Sequence, residues 1–495
     1  MRTQDNHLSA LPRGWVWIRL DQILDKFESG GRPKGGSKNI QSGIPSIGGE
    51  HLTNDGRFNF TNVRYVPLDF FTKMSKGEVK KGDALIVKDG ATTGKVSFVR
   101  EDFPFDKAAV NEHVFLARPL QDIDQLWVFY YMFSLDGQDC VRKSLRGTAQ
   151  GGITKSFFVD TFLPLSPLPE QHRIVDKIEE LFAQLDAGVE ALKKTQIQLR
   201  HFRQSVLKSA FKGELTVKWR KHHKGNLEPA STLLEKIKED RKTSSNYKEL
   251  PQPDTTDLSE IPQEWKWARL VDFIESMKNG IYRPPQFYGT YGVACLRMYN
   301  IENGKIVWKD IKRMNLTHDE INEYGLLEGD ILVNRVNSRE LVGKAAPIPN
   351  GLEPCVYESK NIRVRLHAKY VVSKYVSYWL QLSGQTYFNH NAQQTVGMAS
   401  INQEQLSSIP VPFCPLIEQN KITEEIERYF SVADEIETTL MKNLKQSDRL
   451  RQSILKRAFE GKLVTQNPAD EPAEKLLQRI NKLEDKSSKG ITHVR

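Results

Sequence analysis

The sequence predicts an α+β protein: two similar mixed α/β domains, separated by two long helices packed as an antiparallel coiled coil, in a pseudo-two-fold internal repeat. The main observation is that the 495-residue sequence contains two copies of one unit. Arg203–Lys208 (RQSVLK) returns as Arg451–Lys456 (RQSILK), 248 positions later, and Trp15–Leu20 returns as Trp265–Leu270, 250 positions later. Two copies of one unit on one polypeptide predict pseudo-two-fold symmetry.

Short strands joined by turns fill the first part of each copy. The apolar runs Ala84–Val87 and Val96–Val99 each follow a Gly-containing turn, and Ile331–Val333 repeats the first of them in the second copy. Such runs between turns are typical of strands. The polar loop between the strands does not repeat, being KDGATT at 88–93 and NRVNSRELV at 334–342. A shared frame with different polar loops is expected of two related readers of different targets, although drift in surface loops is the alternative.

A long amphipathic helix follows each of these parts. Its apolar residues step by alternating intervals of four and three, the heptad pattern of a coiled coil. Residues 174–206 alone would span roughly 50 Å at ~1.5 Å per residue, more than a small domain can cover, so the two helices are predicted to pack on each other. Two helices on separate cores are the alternative. The predicted seam consists of Ile178, Leu185, Leu192, Leu199 and Val206 in the first helix and Ile426, Ile436, Leu440, Leu450 and Ile454 in the second.

A short helix after each long one completes the repeat, because Glu228-Pro229-Ala230 matches Glu471-Pro472-Ala473. The first short helix is predicted over 231–243. The predicted boundaries are a first domain at 1–167, a coiled-coil helix at 168–225, a short helix and linker at 226–258, a second domain at 259–415, a second coiled-coil helix at 416–465, and a short helix with a C-terminal tail at 466–495.

Composition favours a polyanionic partner. The chain has 71 Lys and Arg against 62 Asp and Glu, a formal net charge of +9. Ten of the basic residues lie between Lys193 and Lys224, where they could form a solvated helix face, follow a phosphate backbone or meet an acidic subunit. The four cysteines are far apart and in no ligand spacing, which indicates reduced thiols. With no apolar segment of about 18 residues, we expect a soluble, cytoplasmic protein that is not exported.

Signals for catalysis are weak. Gly90–Val96 is one residue short of a phosphate-binding loop and has Val where the metal-binding Ser or Thr belongs. Arg283-Pro284-Pro285 resembles an amino-methyltransferase motif but lacks its carboxylate or amide and the aromatic residue that directly follows the prolines. No His pair stands at helical spacing for a metal. We therefore expect no catalytic residue, no metal site and no cofactor in this chain.

The two passages that end the domains carry a family resemblance, together with the openings Leu11-Pro12-x-x-Trp15 and Ile261-Pro262-x-x-Trp265. These passages are Gly147–Thr154 running into Pro164–Gln171, and Gln394–Ile401 running into Pro410–Gln419. They resemble the specificity subunit of a Type I restriction-modification system over nearly the whole chain. The second copy departs from the pattern in lacking the Gly-Thr-x-Gln phrase of the first.

The resemblance implies two target-recognition domains, each reading one half of an asymmetric, interrupted double-stranded DNA site. It also implies partners: two methylation subunits that bind S-adenosylmethionine, and restriction/translocase subunits that use ATP and Mg. The other readings are a stand-alone DNA-modifying or DNA-cleaving enzyme and a basic coiled-coil scaffold. Candidate DNA contacts in the divergent loops, where Arg suits guanine, Asn suits adenine and Lys suits phosphate, are Lys88, Thr92, Thr93, Lys95, Asn334, Arg335, Asn337, Arg339 and Lys344.

Overall fold

The protein forms two compact units, each built from segments that are distant in sequence. A computed structural model describes residues 10–36, 40–146, 151–242, 253–256, 258–384, 386–388, 393–395 and 398–490. Unit 1 combines residues 1–193 with 441–495, and unit 2 consists of residues 194–440. Each unit therefore holds one strand-rich domain and parts of both long helices. Residues 147–150 and 396–397 of the family passages lie outside the described residues.

The domain in unit 1 contains a four-stranded antiparallel sheet and a three-stranded sheet with one parallel pair. In spatial order, the strands of the four-stranded sheet are Leu24–Ser29, Val114–Pro119, Ala84–Val87 and Val96–Phe98. The strands of the three-stranded sheet are Arg64–Val66, Ile44–Ile47 and Ala109–Val110. A further pair is formed by Val16–Arg19 and Phe162–Leu165. The helices are Leu68–Lys73, Gln125–Phe133, Leu135–Ser144 and Ser156–Asp160, with 3-10 turns at Leu20–Ile23 and Gly49–His51.

The domain in unit 2 repeats this arrangement and adds to it. Its four-stranded sheet is Ile274–Asn279, Asn361–Leu366, Ile331–Asn334 and Ala345–Pro347; its three-stranded sheet is Lys312–Met314, Val293–Leu296 and Cys355–Tyr357; and Lys266–Arg269 pairs with Pro410–Phe413. The additions are a hairpin, Ile301–Glu302 with Lys305–Ile306, and a small sheet, Val336–Asn337, Met398–Ser400 and Gln393–Thr395. Its short helices are Val217–His223, Ala230–Lys242, His318–Tyr324, Ser373–Trp379 and Gln403–Ser407, with 3-10 turns at Leu270–Phe273, Pro285–Phe287 and Met298–Asn300 and a π-helix at Leu380–Gly384.

The recurring Gly-Asp turns have one structural cause in both domains. The buried carboxylate of Asp83 accepts a hydrogen bond from the Lys80 N–H at 2.6 Å and two from Arg118 at 2.7 and 2.8 Å. Asp330 makes the same bonds with the Leu327 N–H and with Arg365. Because a buried carboxylate is costly unless it is paired and hydrogen-bonded, this Asp fixes both the turn and the strand beside it.

The two long helices span Leu168–Phe211 and Leu416–Phe459, 44 residues each. They end before the predicted limits of 225 and 465. In each case a glycine two residues beyond the helix has positive φ, 71° at Gly213 and 66° at Gly461. The N–H groups of this glycine and of the next residue bond back to the last turn, which is the Schellman arrangement that ends a helix.

Within each unit the long helices run antiparallel, and the predicted fold class is confirmed. In unit 1, Asp186 bonds to Arg451, while Glu170, two residues after the helix start at Leu168, lies 3.4 Å from Gln466. In unit 2, Arg203 bonds to Asp434 and Glu437 at 2.8 Å, and Arg220, beyond the end of the first long helix, bonds to Glu418 near the start of the second. Partner numbers thus rise along one helix as they fall along the other.

Each short helix packs into the core of the domain other than the one that immediately precedes it in the sequence. Leu233 and Ile237 of Ala230–Lys242 are buried in the core of unit 2, and Leu476 and Ile480 of Ala473–Gly490 in that of unit 1. The helix of the segment predicted between the copies is therefore part of the second unit's core, whereas residues 243–252 and 257 of the predicted linker lie outside the described residues. The structure places this helix at 230–242, one residue from the predicted bounds.

Candidate nucleic-acid interface

Four segments meet at one end of the sheets in the first domain. The Asn111 N–H donates to the Ile47 carbonyl at 3.0 Å, which ties the turn 48–51 to the segment 111–113. Lys88 N–H donates to the His113 carbonyl, and Ile153 N–H donates to the Lys88 carbonyl, both at 2.8 Å. Residues 48–51, 88–94, 111–113 and 151–153 therefore form one surface, the loop face of the first domain.

The second domain builds its loop face from the same bonds. Glu358 N–H donates to the Leu296 carbonyl at 3.0 Å, Arg335 N–H to the Lys360 carbonyl at 2.8 Å, and Ile401 N–H to the Arg335 carbonyl at 2.9 Å. The loop face of the second domain is thus made by residues 297–300, 335–343, 358–360 and 399–401. Loops held on a rigid sheet are the usual location of recognition residues.

The predicted residues of the first domain lie on or next to this face, and several of them bond within the domain. The Lys88 ammonium donates to the Glu112 carbonyl at 2.9 Å. The Thr93 hydroxyl lies 2.7 Å from the Gly90 carbonyl oxygen and 3.0 Å from that of Gly151, and Lys95 Nζ is 3.5 Å from the Leu52 carbonyl oxygen. All three side chains, and Thr92, are half-buried. Lys88, Thr93 and Lys95 therefore hold the loop in place while part of their surface stays open.

In the second domain two of the predicted contacts are internal. Asn334 donates to Asn361 Oδ1 at 2.5 Å, and Asn337 donates to Asn334 Oδ1 at 2.9 Å. Both Asn334 and Asn337 are buried, which corrects the prediction that they contact bases. Arg339 is exposed and Arg335 half-buried, with its Nε lacking a hydrogen-bond partner among the described residues.

Lys344 lies at the side of the loop face, in a cleft of about 320 Å³ that it shares with Arg200, Arg203 and Gln381. Arg203 is paired with carboxylates there, whereas Arg200 is exposed. This cleft joins the second domain to the first long helix within unit 2.

Sequence reasoning missed a second set of polar residues on both faces. In the first domain, Arg32, Arg64, Asn111 and His113 line a cavity of about 270 Å³ bordered by glycine backbone. In the second domain, Arg297 occupies the turn after strand Val293–Leu296, among exposed tyrosines. The available signal was the run of four tyrosines and two arginines between residues 282 and 299.

The predicted coiled-coil seam needs correction at two positions. Ile436 and Leu450 are 41% and 43% exposed, whereas the nearby Ala433 and Leu455 are buried. Among the other predicted seam residues, Ile178, Leu199, Val206, Ile426 and Leu440 are buried, and Leu185, Leu192 and Ile454 are half-buried.

The basic stretch 193–224 is only partly paired. Arg203 and Arg220 bond to carboxylates of the second long helix within unit 2. Lys208, Lys212 and Lys218 are exposed. Among the described residues, no three His, Cys, Asp or Glu side chains converge as metal ligands. A search of the same residues finds no helix long and apolar enough to cross a membrane.

Comparison with known proteins gives consistent matches along the chain. It is 25% identical over 468 residues to the type I restriction enzyme EcoKI specificity subunit of Escherichia coli K12, covering 93% of this chain and 92% of that protein. It is 24% identical over 467 residues to the StySPI specificity subunit of Salmonella potsdam, with the same coverage. A chain solved in a study of complex assembly and conformational transition of the type I R-M system shares the fold, with a TM-score of 0.66 at 17% identity over 92% of this chain and all of that one.

The family model described as the Type I restriction modification DNA specificity domain matches twice, at residues 12–198 and 262–446. These two matches correspond to the two copies of the internal repeat and cover well over half of the sequence. The chain therefore belongs to the Type I restriction-modification DNA specificity family and carries two copies of its domain.

Proposed function

We propose that this chain is the non-catalytic subunit that gives a Type I restriction-modification complex its DNA sequence specificity. Each domain reads one half of a bipartite, asymmetric DNA site, and the chain is also the scaffold for the methylation and restriction subunits. The observation that carries the proposal is the pair of loop faces. They share a backbone hydrogen-bond frame and present different side chains, as expected of two readers with different half-sites.

The long helices are suited to act as a spacer between the two domains. Each has 44 residues, which is about 66 Å at ~1.5 Å per residue. Successive major grooves on one face of a duplex are ~34–36 Å apart, so a helix pair of this length is sufficient for two readers one or more turns apart.

The chemistry of the complex belongs, in this proposal, to the partners. Two methylation subunits supply S-adenosylmethionine and the methylating residues, and the restriction/translocase subunits use ATP and Mg. The assembly works in the cytoplasm. The basic residues exposed between 193 and 224 are available for the DNA backbone or for an acidic subunit.

A methyl-transfer assay tests whether catalysis belongs to the partner subunits and sequence specificity to this chain. The purified chain alone should transfer no methyl group from S-adenosylmethionine to DNA. Together with its methylation subunits it should direct methylation to one bipartite site, read out by sequencing modified genomic DNA. Transfer by the pure chain at the rate of the complex would contradict the proposal.

Half-site readout tests the assignment of one domain to each half. Replacing Arg335 and Arg339 by Ala should relax only the half-site read by the second domain, because one well-placed Arg–guanine contact is worth ~1–3 kcal/mol of discrimination. The matched change Lys88→Ala in the first domain should leave that half-site unchanged. Equal loss at both halves after the Arg substitutions would indicate general phosphate contacts instead.

A further inference from the structure

The turn after the first strand of the parallel pair has the same backbone in both domains but carries different chemistry. Gly48 (φ −110°, ψ 174°) and Arg297 (φ −110°, ψ 170°) occupy this position. Gly48 N–H donates to His51 Nδ1, and Arg297 N–H donates to Asn300 Oδ1, both at 2.9 Å. The two residues are thus equivalent, and the first domain has no side chain where the second has a guanidinium.

The Arg297 side chain is held in place without using up its donors. Its guanidinium carbon lies 5.2 Å from the ring centre of Tyr299 and 5.9 Å from that of Tyr288. Its Nε is 3.7 Å from the Glu358 carboxylate, too far for a hydrogen bond. No hydrogen bond from the guanidinium to another described residue is formed, and the side chain remains 29% exposed.

The surroundings of Arg297 are rigid. The Asn300 side chain, which accepts from the Arg297 N–H, donates to the carbonyl oxygens of Val307 and Lys309 at 3.0 and 2.9 Å. The other oxygen of the Glu358 carboxylate accepts from the Met298 N–H at 2.7 Å. A guanidinium fixed in this way pays little rotamer entropy on binding a planar acceptor pair.

Exposed aromatic rings extend this surface. Tyr299 is 66% and Tyr282 72% exposed, and burial raises the pKa of Tyr288 to about 12, which keeps its hydroxyl protonated. Large exposed aromatic residues beside a cation are typical of binding surfaces and not of a solvated face.

We propose that Arg297, flanked by Tyr288 and Tyr299, reads a guanine in the half-site of the second domain. The guanidinium fork matches the O6 and N7 acceptors that guanine presents in the major groove, and the tyrosine rings supply apolar contact beside them. The first domain lacks this contact because Gly48 has no side chain, and a Cβ there would lie 2.3 Å from the Glu50 carboxylate and 2.7 Å from the Asn111 amide, so these side chains would have to move. This inference rests on the proposed function and names a specificity residue for it.

The test is selection of duplexes from a library randomised over both half-sites, using the complex of this chain with its methylation subunits. Arg297→Ala should remove the preference for guanine at one position of the second half-site and weaken binding to the native site about 10- to 100-fold. Arg297→Lys, which keeps the charge and loses the fork, should also lose most of that preference while keeping the salt dependence.

Arg313→Ala is the matched control, since it removes one positive charge from the same sheet, but from a side chain already paired with Glu353 and bonded to the Gly292 carbonyl. It should leave the selected site unchanged. Equal weakening on all sequences by Arg297→Ala, with rescue by Lys, would make Arg297 a phosphate contact and overturn the inference, as would an unchanged selection. If the wild-type complex selected no site at all, the proposed function itself would fail.

Discussion

The two domains agree in their backbone and differ in the surface that the backbone carries. Both have the four-stranded antiparallel sheet, the parallel strand pair and the buried Asp–Arg pair at the Gly-Asp turn. In the first domain, arginine and histidine side chains and the backbone of glycines line a cavity. The second domain adds a hairpin and a small sheet, and it exposes tyrosines around Arg297. The difference shows that the internal bonds hold the frame, so the loop face is free to vary.

The largest loss of stability is expected from substitutions of the glycines that end the long helices, because both domains share this part of the frame. Gly213 and Gly461 have positive φ, and a Cβ on either would lie 2.5 or 2.4 Å from the ring of Pro262 or Pro12, the proline of the domain-opening motif. Replacing either by Ala should cost about 2–4 kcal/mol, from left-handed strain together with overpacking. Chemical denaturation followed by hydrogen exchange should locate the loss in unit 2 for Gly213→Ala and in unit 1 for Gly461→Ala.

The control for both is Gly188→Ala. Gly188 lies within the first long helix, and nothing lies within 4 Å of a Cβ built there. Alanine should therefore stabilise unit 1 by about 0.5–1 kcal/mol. If Gly213→Ala and Gly461→Ala behaved like this control, the paired helix ends would not be part of the frame.

The structural features that could be predicted from the sequence are those with a local cause. The heptads predicted the two long helices, and the matched Glu-Pro-Ala phrases predicted the short ones. The helix ends could have been predicted as well, since Gly213 and Gly461 follow the last turns and glycine is the usual residue there. The docking of each short helix on the other domain could not, because it depends on contacts such as Ala473 N–H to the Gly14 carbonyl, 459 residues apart.

The roles of the residues in the candidate site could not be predicted from local sequence either. Asn334 and Asn337 are polar residues in a polar loop, so sequence reasoning placed them at the surface. Both are buried, and their burial is compensated by hydrogen bonds from Asn334 to Asn361, on the neighbouring strand, and from Asn337 to Asn334. Arg297 was missed because its turn follows the apolar strand of another sheet, and only the structure brings that turn to the divergent loops. Local patterns thus predict elements, and side-chain roles depend on pairing across strands.

A second comparison concerns the buried glutamates at the starts of the long helices. Glu418 accepts hydrogen bonds from Trp265 Nε1 at 2.9 Å and from Thr216 and Arg220, both at 2.8 Å. Glu170 accepts one from Trp15 Nε1 at 3.0 Å and one from Gln466 at 3.4 Å. Glu418→Gln should therefore destabilise unit 2 by about 1–2 kcal/mol, because the charge-assisted bond to Arg220 becomes a neutral one.

Glu170→Gln should have a smaller effect of opposite sign. Burial raises the pKa of Glu170 above its ordinary value, more than the hydrogen bonds from Trp15 and Gln466 and the charge of Arg173 lower it. The folded state then holds this proton more tightly than the unfolded chain, so the stability it contributes is complete below the unfolded pKa and is lost as pH rises through the folded pKa. Gln keeps an acceptor for Trp15 and avoids that loss. At pH 7 the variant should be more stable by under about 1 kcal/mol, with the gain vanishing towards pH 4. Denaturation of both variants across this range measures it, and a loss of stability by Glu170→Gln at pH 7 would show that the two glutamates are equivalent after all.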